Sequence, residues 1–568
     1  MIKQLKSKWS RLASLVSEQK RSRALFGKCY SVKLNTVPTS VVNPPTVAGL
    51  YPGKNRGQLL WIDLDKNAEI LSGYYNENTR LLPFVKTLKN VVPVFYTETY
   101  STAVELLFRL KTEQLTDCFI ASSDLEILSA CYGEYAEIGR VWCVPSNMEN
   151  PKIVQIAHSH QVNIVCTKDG WDEGRVFYLK QRLITVWQFA REHTKVYLHR
   201  LLLSGCRVIV TEKPDILMDL LQNISQTPTV IQKPIIIGHR GISSNKKYME
   251  NTLTTAIESV KLGANVIDID TRLTKDGRLI AFHGWLIDRI LEGTGEVRSY
   301  TLAELQKMKF RYGLNPQETV LPLEEFFQQM LDTFPEQNLM FTCEIGGDIV
   351  ESVGKLKEIL DKNPTMQDKL MIKCKNGRFG YSELKKQLPY LPVRNYINDV
   401  ITPNNCAKPT LLSIHTALHQ RNIPWCAKYR KFHKGLLAQL QLRSHLIIKL
   451  MQNTQDKIKN DLFSGIELLT TDTNLVKGFI YQLKAEKEIR LSVGEKVVPK
   501  GVLIGCGIQT KTTADEFVIL ENESAVLLEK GNLVAKKAGV CYGYLKKSVV
   551  CFQKEYLVLS DIVKIIVE

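Results

Sequence analysis

The feature that most constrains the fold is a long alternation of apolar strand-like runs with helix-like runs, from Pro234 to about residue 480. The strand candidates in this series are IIIGHRG, NVIDIDTRL, GRLIAFH, MFTCEI, KLMIKC, IPWCAKY and GIELLTTD. Strands that alternate with helices form parallel βα units, and about 245 residues of such units is the usual size of a closed eight-stranded barrel. The series therefore predicts an α/β fold with a TIM-type (β/α)8 barrel over residues 229–484.

A shorter alternation of the same kind precedes this barrel and occupies residues 57–228. The segments LSGCRVIVTEKP and FSGIELLTTDTN, near the ends of the two series, share a Ser-Gly pair and a Thr at the same spacing. This match favours two related barrels, of which the first is degenerate and incomplete. Its strand ends carry no convergent set of acid, base or ligand residues, so we expect it to have a structural role.

The pattern changes near residue 487 to short alternating strands separated by Gly, Asn and Asp turns. This pattern predicts a small β-sandwich over residues 485–568. Within it, ENESAVLLEKGNLVAKKAGV resembles a segment of the bacterial immunoglobulin-like repeats of type 2, which implies an immunoglobulin-like domain. Residues 1–56 are then a basic N-terminal segment followed by a linker that contains prolines.

The charge of the chain favours anionic partners. It carries 75 Lys and Arg against 58 Asp and Glu, a formal net charge of +17. No helix-turn-helix, zinc-finger or RNA-binding aromatic motif accompanies this charge, so we do not expect nucleic acid as a partner. Residues 1–36 hold nine Lys or Arg against one Glu, with apolar residues near helical spacing. This segment is either a solvated basic helix or one that contacts an anionic membrane surface.

The sequence does not decide the cellular compartment of the protein. The chain has 13 cysteines without a CxxC pair, and its N-terminus lacks the apolar core of a secretory signal, which favours the cytoplasm. The immunoglobulin-like segment instead favours an extracellular or cell-surface location. No run of 18 apolar residues occurs, so we expect no membrane-spanning helix.

Residues able to do acid/base and metal chemistry stand at successive strand ends of the longer series. They are His239, Arg240, Asp268, Asp270, His283 and Glu344. Barrel enzymes place their catalytic groups at the carboxyl ends of the strands. Carboxylates that converge there repel one another and need a cation between them or a raised pKa. The pattern predicts an acid/base pair and a divalent metal site whose oxygen ligands favour Mg or Ca over Zn.

The order and spacing of these motifs resemble the glycerophosphodiester phosphodiesterase family. That family has an HRG strand, a PENT segment, an E-x-D strand, L-T-x-D-G, an H-D pair and a later E-I-K. Here the corresponding segments are GHRG (238–241), MENT (249–252), DID (268–270), LTKDG (273–277), FHG (282–284) and CEIG (343–346). A degenerate barrel before a complete one also resembles a bacterial tandem-barrel subgroup of that family.

The resemblance implies hydrolysis of a glycerophosphodiester, or of another substrate derived from phospholipid, to glycerol 3-phosphate and an alcohol. In that scheme His239 and His283 are the general acid and base. The implied ligands of the Mg or Ca ion are Asp268, Asp270, Glu344 and Glu250. The implied substrate-binding residues are Arg240 and Asn251. Trp425, at a strand end, either packs within the barrel or binds substrate by lining the glycerol pocket.

Four positions differ from the family pattern. Met249 replaces Pro, Asp268 replaces Glu, Gly284 replaces Asp and Gly346 replaces Lys. The lost Lys removes a positive charge that faces the phosphate, and the basic segment 426–434 could return it. Two alternatives to hydrolysis therefore stay open. One is a weakened barrel that binds glycerophosphoryl or polyanionic groups, and the other is a phospholipase D-type reaction that forms a cyclic phosphate.

Overall fold

The chain forms two parallel barrels followed by an all-β C-terminal region. The computed structural model describes residues 40–43, 58–64, 68, 91–225, 227–242, 248–374, 377–395, 418–419, 424–427, 440, 443–452, 454–463, 466–529 and 531–568. Within these ranges no helix has both the length and the apolar character needed to cross a bilayer. The ten cysteines whose side chains are described are all free, and nine of them are buried.

The first barrel is a closed ring of eight parallel strands that pair in chain order. Its strands are β1 (Ser40–Asn43), β2 (Gln58–Asp63), β3 (Val91–Tyr96), β4 (Phe119–Ser122), β5 (Gly139–Cys143), β6 (Ile164–Thr167), β7 (Thr185–Phe189) and β8 (Val208–Val210). Its helices are α1 (Tyr100–Thr112), α2 (Leu125–Tyr135), α3 (Asn150–Ser159), α4 (Glu173–Gln181), α5 (Lys195–Leu203) and α6 (Pro214–Ser225).

The closure of this ring corrects the prediction that the first barrel is incomplete. Strand β1 pairs in parallel with both β2 and β8, although its four residues lie in the segment predicted to be a linker. A four-residue strand is too short to show a hydrophobic period, and the prolines around it indicated a loop. The barrel therefore begins near residue 40, before the expected boundary at residue 57.

The second barrel follows a short strand, β9 (Thr229–Val230). Its parallel strands are β10 (Ile235–His239), β11 (Val266–Leu273), β13 (Met340–Ile345), β14 (Leu370–Cys374), β15 (Val393–Asn395), β16 (Trp425–Ala427), β17 (Ile447–Gln452) and β18 (Leu468–Thr471). Its helices are α7 (Leu253–Lys261), α8 (Leu302–Gln306), α9 (Leu323–Thr333), α10 (Ile349–Lys362), α11 (Pro364–Gln367), α12 (Gly377–Gln387) and α13 (Gln455–Leu462). Two 3₁₀ turns occupy Val297–Ser299 and Thr473–Leu475. Neighbouring strands pair all around this nearly closed barrel except between β15 and β16, for which the described residues give no pairing.

One predicted barrel strand, GRLIAFH, lies outside the ring. Its strand β12 (Leu279–Ala281) pairs antiparallel with β11. The two strands are joined by the tight turn of LTKDG, where Gly277 has a φ of +69° that glycine adopts without strain. His283 is therefore carried back to the end of β11 by a hairpin. Strands β15 and β17, which the sequence analysis did not identify, complete the ring.

The two barrels contact each other through the amino-terminal ends of their strands. Leu183, just before β7, joins one apolar cluster with Ile235, Val266 and Met340, the first residues of three strands of the second barrel. Since both barrels use the same end, their carboxyl-terminal mouths face in opposite directions.

Two ion pairs cross this interface. The guanidinium of Arg182 donates to both carboxylate oxygens of Asp368, with Nε–Oδ1 3.0 Å and Nη2–Oδ2 3.1 Å. Arg443 forms a second two-point pair with Asp117, at 2.6 and 2.7 Å, and both side chains are buried. Paired hydrogen bonds of this kind fix orientation as well as distance, so the barrels form one unit.

The C-terminal region is all-β, as predicted, and begins slightly earlier than residue 485. Its strands are β19 (Ile480–Ala485), β20 (Glu488–Leu491), β21 (Lys496–Val497), β22 (Lys500–Gly505), β23 (Ile508–Thr513), β24 (Glu516–Glu521), β25 (Val526–Glu529), β26 (Asn532–Ala535), β27 (Gly539–Cys551) and β28 (Lys554–Val567). They form three sheets, and β28 also pairs in parallel with β9. The immunoglobulin-like character of this region stays a prediction.

The C-terminal region packs on both barrels. Leu520 and Tyr544 belong to the apolar core of the first barrel, whereas Phe517 shares a core with Phe463 and Leu469 of the second. The C-terminal region therefore contacts both barrels through β24 and β27.

Candidate active site

The GHRG motif forms a sharp turn at the end of β10. A Cβ on Gly238 would overlap the hydroxyl of Ser259 in α7, and one on Gly241 would lie 2.8 Å from backbone of the same helix, so both positions need glycine. Between them Arg240 adopts a φ of +56° and its N–H donates to the Asp268 carbonyl at 2.9 Å. A non-glycine residue in this region costs about 1–3 kcal/mol, which the surrounding contacts must offset.

The predicted carboxylates come together inside the barrel mouth. Asp268 and Asp270 lie two residues apart on β11 and share a face, and Asp270 stands beside Glu344 in the register of β13. All three are at most 3% exposed. The structure thus places these three groups together at neighbouring strand ends.

Two basic residues that the sequence analysis missed share this interior. Lys373 on β14 places Nζ 2.7 Å from Glu344 Oε2, 3.3 Å from Asp268 Oδ2 and 4.0 Å from Asp270 Oδ1. Arg394 on β15 places Nη2 2.6 Å from Asp268 Oδ1. Burial acts to raise the pKa of Asp268, but Lys373 and Arg394 outweigh burial and hold that pKa well below its usual range.

Glu250, Arg240 and His283 form a second cluster at the rim of the mouth. Arg240 donates from Nη1 to Glu250 Oε2 at 2.9 Å, and its Nε forms an ion pair with Asp270 Oδ2 at 2.7 Å. His283 Nδ1 lies 3.0 Å from Glu250 Oε1, and the exposed Arg289 contacts the same oxygen. Burial acts to raise the pKa of Glu250, but the hydrogen bond to His283 and the charge of Arg240 prevail and lower it to about 2. Glu250 is therefore ionised and links the HRG turn to the second histidine.

His239 stands at the end of β10 in register with Asp268. Burial lowers the pKa of His239 to about 4, and the nearby carboxylate of Asp268, which acts in the opposite direction, does not offset burial. His239 is therefore neutral at pH 7 and able to accept a proton.

Asn251 supports the carboxylates through the backbone. Its Oδ1 accepts from the Asp270 N–H at 3.0 Å, while its own φ is +59°. Its buried Nδ2 has no acceptor among the described residues. Asn251 thus positions β11 and keeps one donor available at the site.

Arg272 occupies the space that the missing lysine leaves. A Cβ on Gly346 would overlap Nη1 of Arg272 and lie 2.6 Å from its Cζ. The same guanidinium donates from Nε to the Gly284 carbonyl at 2.9 Å and from Nη1 to the Thr271 carbonyl at 2.7 Å. Positive charge therefore returns to this part of the mouth from β11. Most of the segment 426–434, which could also supply positive charge, lies outside the described residues.

The three converging carboxylates do not fit a divalent ion as they are arranged, because each is already paired with a basic side chain. Within the described ranges, no group of three or more His, Cys, Asp or Glu side chains could hold a metal ion. Ligation of Mg or Ca by Asp268, Asp270, Glu344 and Glu250 stays a prediction. Strand β16 contains Trp425, whose side chain is outside the described residues, so its role as a substrate-binding residue also stays a prediction.

Period-two alternation could have identified two of the missed residues. KLMIKC was predicted as a buried strand, and a lysine near its carboxyl end points to the same mouth as the other strand ends. Arg272 lies two residues after Asp270 in the predicted strand NVIDIDTRL, so the same alternation places it on the face of that carboxylate. Arg394 lies in a strand that was not identified.

Comparison with known proteins agrees with the site. The family model described as "Glycerophosphoryl diester phosphodiesterase family" matches residues 239–417. A glycerophosphodiester phosphodiesterase of Caldanaerobacter subterraneus subsp. tengcongensis is 30% identical over 166 residues, which are 28% of this chain and 65% of that protein. One of Bacillus altitudinis is 25% identical over 244 residues, covering 42% of this chain and 94% of that protein.

A solved structure of an Oleispira antarctica phosphodiesterase, in complex with the product sn-glycerol-3-phosphate, is 18% identical with a TM-score of 0.35. It covers 43% of this chain and 94% of that one. The chain thus spans slightly less than two thirds of the Caldanaerobacter protein. Over residues 239–417 the second barrel is therefore similar to the glycerophosphoryl diester phosphodiesterase family.

Proposed function

We propose that the second barrel hydrolyses glycerophosphodiesters to glycerol 3-phosphate and an alcohol. The observation that carries this proposal is the single cluster in which Glu250 joins His283 to Arg240, next to His239 on the same turn. These residues are separated by up to 44 positions and converge only through the fold. The family match over residues 239–417 supports the same reaction.

Arg240 and Arg272 are the groups that would bind the phosphodiester. Arg240 is held by Asp270 and Glu250, which fix its guanidinium at the mouth. Arg272 uses Nε and Nη1 for backbone carbonyls, which leaves Nη2 to donate to a phosphate oxygen. Guanidinium groups match phosphate oxygens with paired donors, and their charge stabilises the extra negative charge of the transition state.

The two histidines would move the protons. His239 is neutral at pH 7 and would accept a proton from the attacking water. His283, protonated on both ring nitrogens, would give its Nε2 proton to the leaving alcohol while Glu250 accepts a hydrogen bond from Nδ1–H. An acid and a base on one phosphodiester provide the two proton transfers of the displacement.

Four further parts of the chain would support this reaction. Asn251 would donate from Nδ2 to the substrate, and Trp425 would line the glycerol pocket. The basic residues 1–36 would contact an anionic membrane surface, and the first barrel would support the second without supplying a reacting group.

The test is turnover of glycerophosphocholine by the purified full chain, with glycerol 3-phosphate measured enzymatically and the product identified by phosphorus NMR. His239→Ala prepared in parallel controls for a contaminating activity. A phosphomonoester product that His239→Ala fails to make supports hydrolysis, whereas a cyclic phosphate favours internal attack by the substrate hydroxyl. Binding without turnover in any condition favours the alternative of a weakened barrel that binds glycerophosphoryl groups. Gly284 and Gly346, which replace family residues, support that alternative.

A further inference from the structure

A row of four charged residues crosses the second barrel at one level. In the register of the parallel strands, Asp270 on β11 stands beside Glu344 on β13, which stands beside Lys373 on β14, which stands beside Arg394 on β15. Residues at one level of neighbouring strands point to the same face. The row therefore presents two carboxylates followed by two cations to the interior.

The ammonium of Lys373 occupies the centre of the carboxylates. It lies within 4.0 Å of an oxygen of Asp268, Asp270 and Glu344, and the Lys373 side chain is 5% exposed. This is the position that an ion shared by the three carboxylates would need.

Charge in the mouth is balanced by the protein itself. The four carboxylates are Asp268, Asp270, Glu344 and Glu250, the four cations inside the mouth are Arg240, Arg272, Lys373 and Arg394, and the exposed Arg289 adds a cation at the rim. Arg394 is also locked in place, because it donates from Nε to Thr342 at 2.9 Å and from Nη1 to Thr470 at 3.3 Å. A divalent ion would have to enter beside fixed cations and displace the ammonium.

We propose that Lys373 takes the place of a divalent ion in this site, so that the carboxylate cluster is neutralised by an internal ammonium and phosphodiester turnover needs no added metal. Only the turnover part of this proposal rests on the proposed function, and the claim about metal binding does not. Lys373 acts here as a positioning residue that holds the carboxylates, and through them Arg240, in the arrangement that faces the phosphate.

Metal binding gives a readout that is independent of activity. We would titrate Mn²⁺ into the full chain and follow the free ion by electron paramagnetic resonance, for the wild type and for Lys373→Ala. Removing the ammonium leaves three converging carboxylates, so Lys373→Ala should bind Mn²⁺ at least about tenfold more tightly than the wild type, a modest bound for removing a charge within 4 Å. Lys357→Ala, on the exposed face of α10, is the matched control and should bind like the wild type.

The turnover arm uses the same proteins. Wild-type activity on glycerophosphocholine should survive exhaustive chelation, whereas Lys373→Ala should lose activity when chelated and regain part of it with Mn²⁺. The proposal would be overturned if the wild type bound one Mn²⁺ ion tightly and Asp268→Asn abolished that binding. This measurement does not depend on whether a Lys373 variant folds. Loss of wild-type turnover on chelation would also overturn it. Absence of turnover in every condition would instead refute the proposed function and leave the Mn²⁺ result to decide the role of Lys373.

Discussion

Restoring the family lysine at position 346 should damage this protein. Any side chain at Gly346 places its Cβ in the space of the Arg272 guanidinium and 2.8 Å from the Thr271 carbonyl. Gly346→Lys must therefore expel Arg272 and break its bonds to the carbonyls of Gly284 and Thr271.

The magnitude follows from those contacts. Each hydrogen bond from a charged donor contributes about 1.5–3 kcal/mol, and overpacking at a tight backbone contact costs about 1–3 kcal/mol. We take about 3 kcal/mol as the expected loss in the free energy of unfolding, because water at the mouth can replace part of the lost bonding. At about 2 °C per kcal/mol this lowers the Tm by about 6 °C. Displacing Arg272 from the phosphate should also lower kcat/KM by about 10- to 100-fold.

The assay is thermal unfolding of the full chain together with glycerol 3-phosphate release. Gly346→Ala introduces the same Cβ without a charge and should lose similar stability. Gly354→Lys is the matched control, because Gly354 lies in α10 with open space around its Cβ, and there lysine should be neutral or slightly stabilising. A Gly346→Lys protein with an unchanged Tm and higher turnover than the wild type would refute the placement of Arg272.

Three further predictions test the rest of the site and the interface. His239→Ala and His283→Ala should each lower kcat by at least about 100-fold, with glycerol 3-phosphate binding by calorimetry little changed. Because the folded pKa of His239 is about 4, its neutral form persists as pH falls, and kcat/KM should stay level down to about pH 5; an acid limb centred near 6.5 would contradict this. Arg443→Ala leaves Asp117 buried without its partner and should cost about 3–5 kcal/mol in chemical denaturation, and a loss below 1 kcal/mol would show that the barrels do not depend on this pair.

The sequence predicted the site where reactive side chains stand at the carboxyl ends of strands. Parallel strands bring their carboxyl ends to one edge, so the positions of His239, Asp268 and Glu344 along the chain were sufficient to predict their convergence. Local spacing also located the all-β C-terminal region. Short strands were different, because β1 and β15 have four and three residues and show no period to recognise.

Contacts between distant segments could not be predicted in the same way. Arg443 and Asp117 are 326 residues apart, and Arg182 and Asp368 are 186 apart. A chain with 75 Lys and Arg offers many possible partners for each carboxylate, so composition does not select among them. For the same reason Arg394, whose strand was not identified, could not be told from a surface residue, whereas Lys373 lies in a predicted buried strand where period-two alternation could have placed it.

The departures at Gly284 and Gly346 are linked by one side chain. Arg272 can lie across the mouth only because residue 346 has no Cβ, and it is held there by the carbonyl of residue 284. Compared motif by motif, the chain lacks two family residues, and each absence indicates a weakened site. In the fold, the lysine charge from β13 is replaced by a guanidinium from β11, and the carboxylates behind it are neutralised by Lys373. Reverting either glycine alone would therefore add a side chain to a site that is already charge-balanced, which is why we expect reversion to lower activity.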